Sequence, residues 1–437
     1  GVVPGDRIQA TITEVHKNYV RARLERLLEG SPDRVDPMCI DFGQCGGCQL
    51  LQWSYQAQLT WKERRVHEVL TRIGGLTSLP VRPIIPSPLI WHYRNKAQFK
   101  VAAAGGGSNT ESICTVKIGF YSSGSHNLVP LGERCRLMHP LINQAVQFLK
   151  THLPKYSIPC SGNGGLQQII CRVSFARKQL LLTLAGGKRL AEQQTAAQVT
   201  KLAHEMKVDI PGLAGLTLSI SMPSGNRKQG PEPENITVWG QNFIEEDLPA
   251  AHGRSITFRI SASSFFQVNP TQAANLFNTV MALAQPGPDL FALDAYCGTG
   301  SIALYLAQAG GMVWGIEEVE EAVADAIVNA ELNDLGNVHF SAGKVEKTAG
   351  KIVTRYGPPD ILVVDPPRSG CSEQFLTAAL SWQPRRWVYV SCNLATLARD
   401  LRFLSSAGYR PTVVQPVDMF PHTSHVECVV LMSRVDK

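Results

Sequence analysis

The feature that most constrains the fold is a regular alternation of strand and helix patterns from about residue 270 onward. Short apolar segments such as LFALDAY and DILVVDPP alternate with longer helical segments. Strands joined through helices run parallel, because each helix returns the chain to the same edge of the sheet. Two strands near 410–418 and 426–433 follow each other closely, which predicts an antiparallel hairpin at one edge. We therefore expect an α/β fold with a doubly wound parallel sheet over 266–437.

The chain of 437 residues is too long for one compact core, so we expect further domains before this sheet. Residues 8–24 alternate apolar and polar side chains on either side of Lys17 and Asn18. This pattern is typical of two strands joined by a turn. It predicts a small β-barrel module, shortened at its front, within residues 1–38.

Residues 39–265 mix helix and strand patterns and predict a central α+β domain. Within it, residues 54–73 predict a helix with Ser54 as its N-cap. The glycine-rich segment 102–112 predicts a flexible hairpin tip, and the proline-containing segment 224–235 predicts a surface loop.

The charged residues are unevenly distributed, although the net charge of +6 is modest. Basic residues exceed acidic ones in 1–100, and acidic residues exceed basic ones in 291–390. A basic front is typical of a surface that meets a polyanion such as RNA, and chance asymmetry is the alternative. Arg94 and Lys96 are candidate phosphate contacts, or else solvated charges on a strand.

The composition also limits the cellular setting. No apolar run reaches the ~18 residues that a membrane span needs, and the chain opens without an export signal, so we expect a cytoplasmic protein without membrane association. The eleven cysteines are an odd number, and three of them lie between Cys39 and Cys48. Without export, such crowding favours metal binding or catalysis over disulfides.

The segment DAYCGTGS follows a predicted strand and opens a predicted helix, which is the usual place of a cofactor loop. Gly298 and Gly300 permit a sharp turn and a close approach of the backbone to a ligand. Glu317 ends the next strand, where an acid can bind the two hydroxyls of a ribose. The third glycine of a dinucleotide fingerprint is missing. The pattern therefore favours S-adenosylmethionine (SAM) over a nucleotide site or a purely structural turn.

Two further predicted strands end in residues that can take part in a reaction. Asp365 in DPPRSG and Cys392 in SCN should face the same crevice, because ligands bind at the carboxyl ends of parallel strands. Cys392 is a candidate nucleophile if its thiolate is accessible, and a small buried apolar residue otherwise. Asp365 is a candidate site residue or part of an Asp-Pro turn.

The turn of the final hairpin, DMFPHTSHVE, contains a third set of candidates. Glu427 is a candidate general base. His422 and His425 have no nearby Cys or His pair to complete a metal site, so we interpret them as residues of the turn or of the active-site wall.

A thiol, a SAM site and a base on neighbouring strand ends suit methylation of a pyrimidine at C5. That carbon is a poor nucleophile until a thiolate adds to C6 and makes C5 enolate-like. A base must then remove the C5 proton so that the thiolate can leave. The target base must also leave its stack, because C6 is hidden in stacked RNA. Phe265 or Phe266 is a candidate to stack on the extruded ring, and both can instead belong to the core.

The cysteine group has the spacing C-x5-C-x2-C at Cys39, Cys45 and Cys48. Cys135 in GERCRLMHP is the candidate fourth ligand. Zinc and a [4Fe–4S] cluster both accept four thiolates. The lack of a second C-x2-C pair favours the cluster.

These motifs together resemble the bacterial RNA (uracil-5-)-methyltransferases, specifically the iron–sulfur branch that modifies 23S ribosomal RNA. The resemblance runs from VPGDRI to HVECVVL and includes FGQCGGCQL, YRNKAQF, FFQVN, VVDPPRSG and VSCNLATLARDL. It implies an N-terminal TRAM domain, which is an OB-like RNA-binding barrel, and a Rossmann-like methyltransferase domain. A monomer that binds 23S rRNA is expected.

The resemblance also assigns roles to single residues. It implies a [4Fe–4S] cluster on Cys39, Cys45, Cys48 and Cys135. It implies Cys392 as nucleophile and Glu427 as base. It implies SAM contacts from Gln267, Tyr296, Ser301, Glu317 and Asp365, beside the loop glycine Gly298.

One position departs from the family, and three alternatives remain open. Lys344 stands where many members have an acid after the third strand, so we do not assign it to the site. The same reaction on the T-loop uridine of tRNA is the first alternative. A 5-methylcytosine enzyme would share the cysteine chemistry in a different motif context, and an inactive RNA-binding or assembly protein would have less reason to keep Cys392 and Glu427.

Overall fold

The computed structural model describes residues 1–103, 116–132, 134–160, 164–221, 233–251 and 253–434. Their strands form a two-stranded ribbon, a second two-stranded hairpin and two seven-stranded sheets. Most of the predicted hairpin tip at 102–112 and of the predicted loop at 224–235 lies outside the described residues.

The first part of the chain contains three regular elements. They are β1 (Arg7–Val15), β2 (Val20–Glu29) and α1 (Tyr55–Arg72). The strands enclose the predicted turn, and the His16 N–H donates to the Tyr19 carbonyl at 2.8 Å. Ser54 caps α1 by accepting a hydrogen bond from the Ala57 N–H, as predicted.

The central elements form one seven-stranded sheet, two α-helices and a separate hairpin. The sheet and its helices are β3 (Lys96–Ala103), β4 (Val116–Tyr121), β5 (Leu128–Pro130), α2 (Pro140–His152), β6 (Leu166–Val173), β7 (Leu180–Gly186), α3 (Gln193–Asp209), β8 (Leu213–Ile220) and β9 (Glu234–Gly240). The hairpin is β10 (Phe243–Leu248) and β11 (Ile256–Ser261). The sheet order is β5-β4-β3-β6-β7-β8-β9, and the neighbours pair antiparallel except for β7 and β8.

The remaining elements alternate as the sequence predicts. They are α4 (Pro270–Ala284), β12 (Phe291–Ala295), α5 (Ser301–Ala307), β13 (Met312–Glu317), α6 (Glu320–Leu332), β14 (Val338–Ala342), α7 (Val345–Tyr356), β15 (Ile361–Val364), α8 (Glu373–Trp382), β16 (Arg386–Ser391), α9 (Leu394–Ser406), β17 (Tyr409–Val417) and β18 (Glu427–Arg434). The predicted strands are confirmed to within a few residues, and α7 is an additional helix.

The C-terminal sheet has the order β14-β13-β12-β15-β16-β18-β17. The first five strands run parallel, and β18 pairs antiparallel with both β16 and β17. The order reverses direction between β12 and β15, which is the position where doubly wound sheets open a ligand crevice. The predicted edge hairpin is therefore confirmed, with its second strand inside the sheet.

Both faces of the C-terminal sheet are covered by apolar packing. Alternate residues of β15 point to opposite faces: Ile361 packs with α4 and α5, whereas Leu362 packs with α7, α8 and α9. The hairpin β10–β11 adds Phe258 to the first face. Helix α1 adds Leu59 and Val66 to the second, so it packs on this sheet although it lies early in the chain.

The N-terminal ribbon differs from the predicted barrel. Among the described residues, β1 and β2 pair only with each other, and two strands cannot close a barrel. Apolar side chains such as Ile12 and Val20 consequently remain exposed. The OB-like (TRAM) barrel is not formed by the residues that the structure describes.

In the described ranges, no helix combines the length and the apolar character needed to cross a bilayer.

Candidate active site

The predicted catalytic and cofactor residues lie around one cavity of about 1660 Å³ at the carboxyl ends of the parallel strands. The central sheet forms its other wall. The cavity is lined by Gln267, Tyr296, Gly298, Ser301, Glu317, Asp365, Cys392 and Glu427. The structure therefore brings together all eight residues that the sequence analysis assigned to catalysis and cofactor binding.

The loop between β12 and α5 has the geometry of a close backbone approach. Tyr296, Gly298 and Gly300 all have positive φ angles, of 68°, 54° and 81°. At Gly300 a Cβ atom would lie 2.9 Å from the ring of Phe340, so only glycine fits there. At Gly298 the corresponding space is empty. The backbone of this loop can thus contact a ligand directly.

Glu317 stands at the end of β13, across from this loop. Its carboxylate accepts hydrogen bonds from the Gly298 N–H at 3.1 Å and from the Val319 N–H at 3.0 Å. A carboxylate has about four acceptor positions, so some remain for a ligand. Asp294, in the strand beneath the loop, is fully buried, and burial together with the charge of Asp365 raises its pKa well above the usual range.

The loop that carries Asp365 is held by the first turns of α9. The Arg368 carbonyl accepts hydrogen bonds from the Asn393 side-chain amide at 2.8 Å and from the Thr396 hydroxyl at 3.2 Å. The Arg399 guanidinium donates to the Ser369 carbonyl at 3.0 Å. These bonds connect the DPPRSG loop to the segment that follows Cys392 and so fix the two strand ends beside each other.

Cys392 is half-buried at the end of β16. Burial raises the pKa of its thiol, and the nearby carboxylates of Glu427 and Asp365 raise it further. The guanidinium of Arg368 opposes them, since a hydrogen bond and a positive charge favour the thiolate. Arg368 also lines the cavity. The sequence analysis missed it, although it lies in the DPPRSG motif.

Two carboxyl groups near this thiol bind protons unusually tightly. Burial raises the pKa of Asp365 to about 7. Burial and the charge of Asp365 raise the pKa of Glu427 to about 8, and Arg368 works in the opposite direction. A carboxyl group with a pKa near neutrality can accept and release a proton at cellular pH.

Glu427 reaches the site because β18 runs antiparallel to β16. Its neighbour Cys428 lies opposite Ser391 in the β-ladder, and Glu427 itself lies opposite Val417. The start of β18 therefore lies at the same edge of the sheet as the end of β16, beside Cys392.

The two candidate aromatic residues have different surroundings. Both line the cavity, but Phe265 is 66% exposed, whereas Phe266 is only 2% exposed and packs in the core. Only Phe265 is free to stack on a base. Lys344 is not among the cavity-lining residues and lies 3.5 Å from the exposed carboxylate of Glu318.

One face of the central sheet forms the opposite wall. The strands bring Lys96, Gln98, Thr183, Ser219 and Asn235 to the cavity. Burial lowers the pKa of Lys96 to about 8, and the charge of Arg172 on the next strand acts in the same direction. Arg94 also lines the cavity. This wall is polar and basic, unlike the faces of the C-terminal sheet.

The histidines of the final turn differ in their surroundings. His422 is buried, its Nδ1 lies 3.1 Å from the Gln58 amide nitrogen, and its ring stacks on Trp91 at 4.0 Å. Burial lowers its pKa to about 4, so it stays neutral at cellular pH. His425 lines the cavity. The interpretation of both as turn or wall residues agrees with these positions.

The four predicted cluster ligands lie in one neighbourhood. Burial, together with the nearby thiols of Cys135, Cys45 and Cys39, raises the pKa of Cys48 to about 12. The Gly47 N–H lies 3.4 Å from the Cys45 sulfur. Within the described ranges, however, no three His, Cys, Asp or Glu side chains are grouped closely enough to hold a metal ion.

Comparison with known proteins identifies the class and then the family. The structure aligns with Pyrococcus abyssi tRNA (uracil-54, C5)-methyltransferase in complex with S-adenosyl-L-homocysteine, with a TM-score of 0.74 and 26% identity over 99% of this chain and 94% of that one. The C-terminal part thus has the α/β fold of SAM-dependent methyltransferases.

The sequence comparisons agree. The tRNA (uracil-5-)-methyltransferase family matches residues 176–435. Uncharacterized RNA methyltransferases of Oceanobacillus iheyensis and Caldanaerobacter subterraneus are each 37% identical, over 98% and 100% of this chain and 89% and 92% of their own lengths. This chain therefore belongs to the tRNA (uracil-5-)-methyltransferase family, and it is an enzyme.

Proposed function

We propose that this enzyme transfers a methyl group from SAM to C5 of a uridine in RNA, with Cys392 as nucleophile and Glu427 as general base. One observation carries the proposal. A thiol, two carboxyl groups with raised pKa values and a glycine-rich strand-to-helix turn meet on a single cavity. The P. abyssi enzyme, which is named for the same reaction on tRNA, supports it.

SAM would bind over the β12–α5 loop. Glu317 has acceptor positions left for ribose hydroxyls, and the empty space at Gly298 leaves room for a ligand against the backbone. Gln267, Tyr296, Ser301 and Asp365 would complete the pocket. When bound, SAM supplies an electrophilic methyl group.

Cys392 would act first. Its thiolate adds to C6 of the uracil, a C–S bond forms, and C5 gains enolate character. Arg368 would favour the thiolate, because its guanidinium donates to the sulfur. Phe265, exposed at the cavity wall, would stack on the extruded uracil.

Glu427 would act last. After C5 carries the methyl group, the Glu427 carboxylate accepts the C5 proton, the C–S bond breaks and the thiolate is restored. A pKa of about 8 suits this role, because the group holds the proton firmly yet releases it at cellular pH.

The proposed substrate is 23S rRNA, and the T-loop uridine of tRNA is the second candidate. The C-x5-C-x2-C spacing with Cys135 supports the rRNA enzymes of the iron–sulfur branch. The P. abyssi neighbour supports tRNA. Retention of Cys392 and Glu427 on one cavity counts against an inactive RNA-binding protein. A cytoplasmic monomer stays a prediction.

We further propose that Cys39, Cys45, Cys48 and Cys135 hold a [4Fe–4S] cluster. The support is the donor set of four neighbouring thiols and the Gly47 N–H near the Cys45 sulfur. The thiols would have to converge on binding, because they do not form a ligand group in the described part of the chain. We expect about four irons per chain in the purified protein. Stoichiometric zinc without iron would contradict the cluster.

We also propose a division into an RNA-binding region at 1–38, a central domain at 39–265 and a methyltransferase domain at 266–437. The ribbon β1–β2 would be part of an OB-like (TRAM) module that contacts phosphates. The two seven-stranded sheets support the second boundary. The packing of α1 on the C-terminal sheet joins the second unit firmly to the third.

Covalent trapping tests the function. The protein is incubated with SAM and with 23S rRNA or tRNA transcripts that contain 5-fluorouridine, in which fluorine replaces the proton that the base must remove. We expect a stable protein–RNA adduct on a denaturing gel with one class of transcript. Failure to trap either RNA would refute the proposed reaction, and mapping of 5-methyluridine in cells lacking the gene would identify the substrate.

A further inference from the structure

The segment between β17 and β18, residues 418–426, has no regular secondary structure, yet it forms one wall of the active site. We name it the catalytic turn. Phe420, Thr423 and His425 line the cavity, and Glu427 follows directly. A wall without helix or strand bonds of its own needs other contacts to keep its shape.

The first of these contacts is a buried ion pair with α1. The Lys62 ammonium donates to the Asp418 carboxylate at 2.6 Å and to the Phe420 carbonyl at 2.9 Å. Both charged side chains are 0% exposed. The Tyr55 hydroxyl donates to the second Asp418 oxygen at 2.8 Å. Lys62 thus connects the start of the turn with a residue of the cavity wall.

The second contact is a buried amide one helical turn away. The Gln58 side-chain oxygen accepts a hydrogen bond from the His422 N–H at 2.9 Å, and its nitrogen lies 3.1 Å from the His422 ring. His422 has a positive φ of 66°, which is uncommon for residues other than glycine. Gln58 therefore fixes a strained point in the middle of the turn.

The segment before α1 adds a third set of bonds. The N–H groups of Gln49 and Leu50 both donate to the His422 carbonyl, at 3.1 and 3.0 Å. Gln49 lines the cavity, whereas Leu50, Gln58 and Lys62 do not. The contacts of Leu50, Gln58 and Lys62 therefore support the turn from the side away from the proposed substrate.

We propose that α1 is a positioning element for the target base, with Lys62 and Gln58 as its positioning residues. Resting on the proposed function, the inference is that these residues hold the catalytic turn as the wall that orients the uracil for attack by Cys392. A buried ion pair adds little net stability over apolar packing, so its fixed geometry is the main thing it contributes here. Reaction rates respond steeply to such placement.

The test compares the wild type with the double variant Lys62→Met and Asp418→Asn. Removing both partners leaves no unpaired buried charge, so the variant should unfold near the wild-type temperature. It lacks the ammonium that donates to the Phe420 carbonyl, which keeps its hydrogen bonds from the Thr423 N–H and hydroxyl. With the 5-fluorouridine transcript that the wild type traps, we expect adduct formation to slow by about tenfold to a hundredfold, with unchanged SAM affinity.

Further variants separate positioning from general stability. Lys62→Met alone should unfold at a lower temperature, and the double variant should recover stability without recovering the trapping rate. Gln58→Met should also trap slowly. Arg64→Met removes a positive charge from the exposed face of the same helix and should trap at the wild-type rate.

Each outcome bears on a different claim. If the wild type traps no transcript, the proposed function fails. If it does trap and the double variant traps equally fast, the positioning role of α1 is wrong. Recovery of the trapping rate together with stability in the double variant would also overturn the inference, because it would reduce the ion pair to a structural contact.

Discussion

The two seven-stranded sheets differ in how far their faces are covered by other elements. In the C-terminal sheet, every residue of β12 and β15 is buried, because helices or a hairpin cover both faces. In the central sheet, α2 and α3 pack in a single apolar cluster, while polar residues such as Gln98 and Thr183 face the cavity. A sheet covered on both faces offers only its edge for chemistry. The central sheet has a face left for contact with substrate.

Loss of Cys392, the proposed nucleophile at the edge of the C-terminal sheet, should have the largest effect. Cys392→Ala should lower methyl transfer by about 10⁴-fold or more and abolish the covalent adduct, because it removes the thiol proposed to attack C6. SAM affinity should stay unchanged. Methyl transfer from labelled SAM and a denaturing gel measure both. Cys160→Ala, a change of a buried cysteine in the central core, is the control and should keep activity. An adduct formed by Cys392→Ala would disprove the assignment.

Loss of Glu427, the proposed base at the same edge, should stop the reaction after methyl transfer. Glu427→Gln should reduce turnover by about 10²- to 10⁴-fold while methylated RNA accumulates in covalent linkage to Cys392. Time courses with uridine RNA on denaturing gels, combined with labelled SAM, would show a methylated adduct that decays slowly. Nearly normal turnover without this adduct would mean that water or another group takes the proton.

The pH dependence of adduct decay should sharpen the same assignment. The base acts only when ionised, and burial raises the pKa of Glu427 to about 8. Below that pH, the decay rate of the methylated adduct should rise about tenfold per pH unit, and it should level off above it. A pH jump after adduct formation isolates this step from thiolate formation at Cys392. A rate that is flat from about pH 6 to about pH 8 would contradict the role of Glu427.

Changes on the open face of the central sheet should act on binding instead of chemistry. Lys96→Ala should weaken RNA affinity by about threefold to tenfold, with little change in kcat. The slope of log affinity against log salt concentration should become shallower by about one. Binding titrations at several salt concentrations measure this. Lys201→Ala on α3, on the covered side, is the matched control. A fall in kcat with unchanged affinity would show that this face of the central sheet acts on the chemical step and not on RNA binding.

The smallest effect is expected at the ribbon β1–β2, which has neither covering helices nor a closed barrel. Arg21 and Arg23 lie on one face of it, opposite Glu14 and Thr11 in the ladder. Replacing both arginines by alanine should weaken RNA binding about twofold to fivefold at low salt and leave SAM binding intact. Unchanged RNA affinity would remove the ribbon from the RNA-binding surface.

The C-terminal strands could be predicted from the sequence because each is a short apolar segment of strand length that alternates with longer helical segments. Helix α7 escaped prediction, since its segment contains Gly350 and buries only Val345, Ala349 and Ile352. Asp365 and Cys392 could be predicted because each directly follows a strand in a short motif. Gln267 was assigned only through the family resemblance.

Other features lack a local signal. The insertion of β18 between β16 and β17 depends on which edge the hairpin docks to. The pairing of Lys62 with Asp418 joins residues 356 positions apart, and the local sequence around either residue does not predict it. The open face of the central sheet is likewise a result of tertiary packing, because its strand patterns alone do not show where the helices lie.

The position of β18 has a consequence for biosynthesis. It is the partner that joins β17 to the rest of the sheet, and it also carries Glu427. While the ribosome is still adding residues before 427, β16 has one uncovered edge and the site lacks Glu427, the proposed base. A nascent chain that already folds its cofactor loop therefore cannot complete the proposed reaction prematurely.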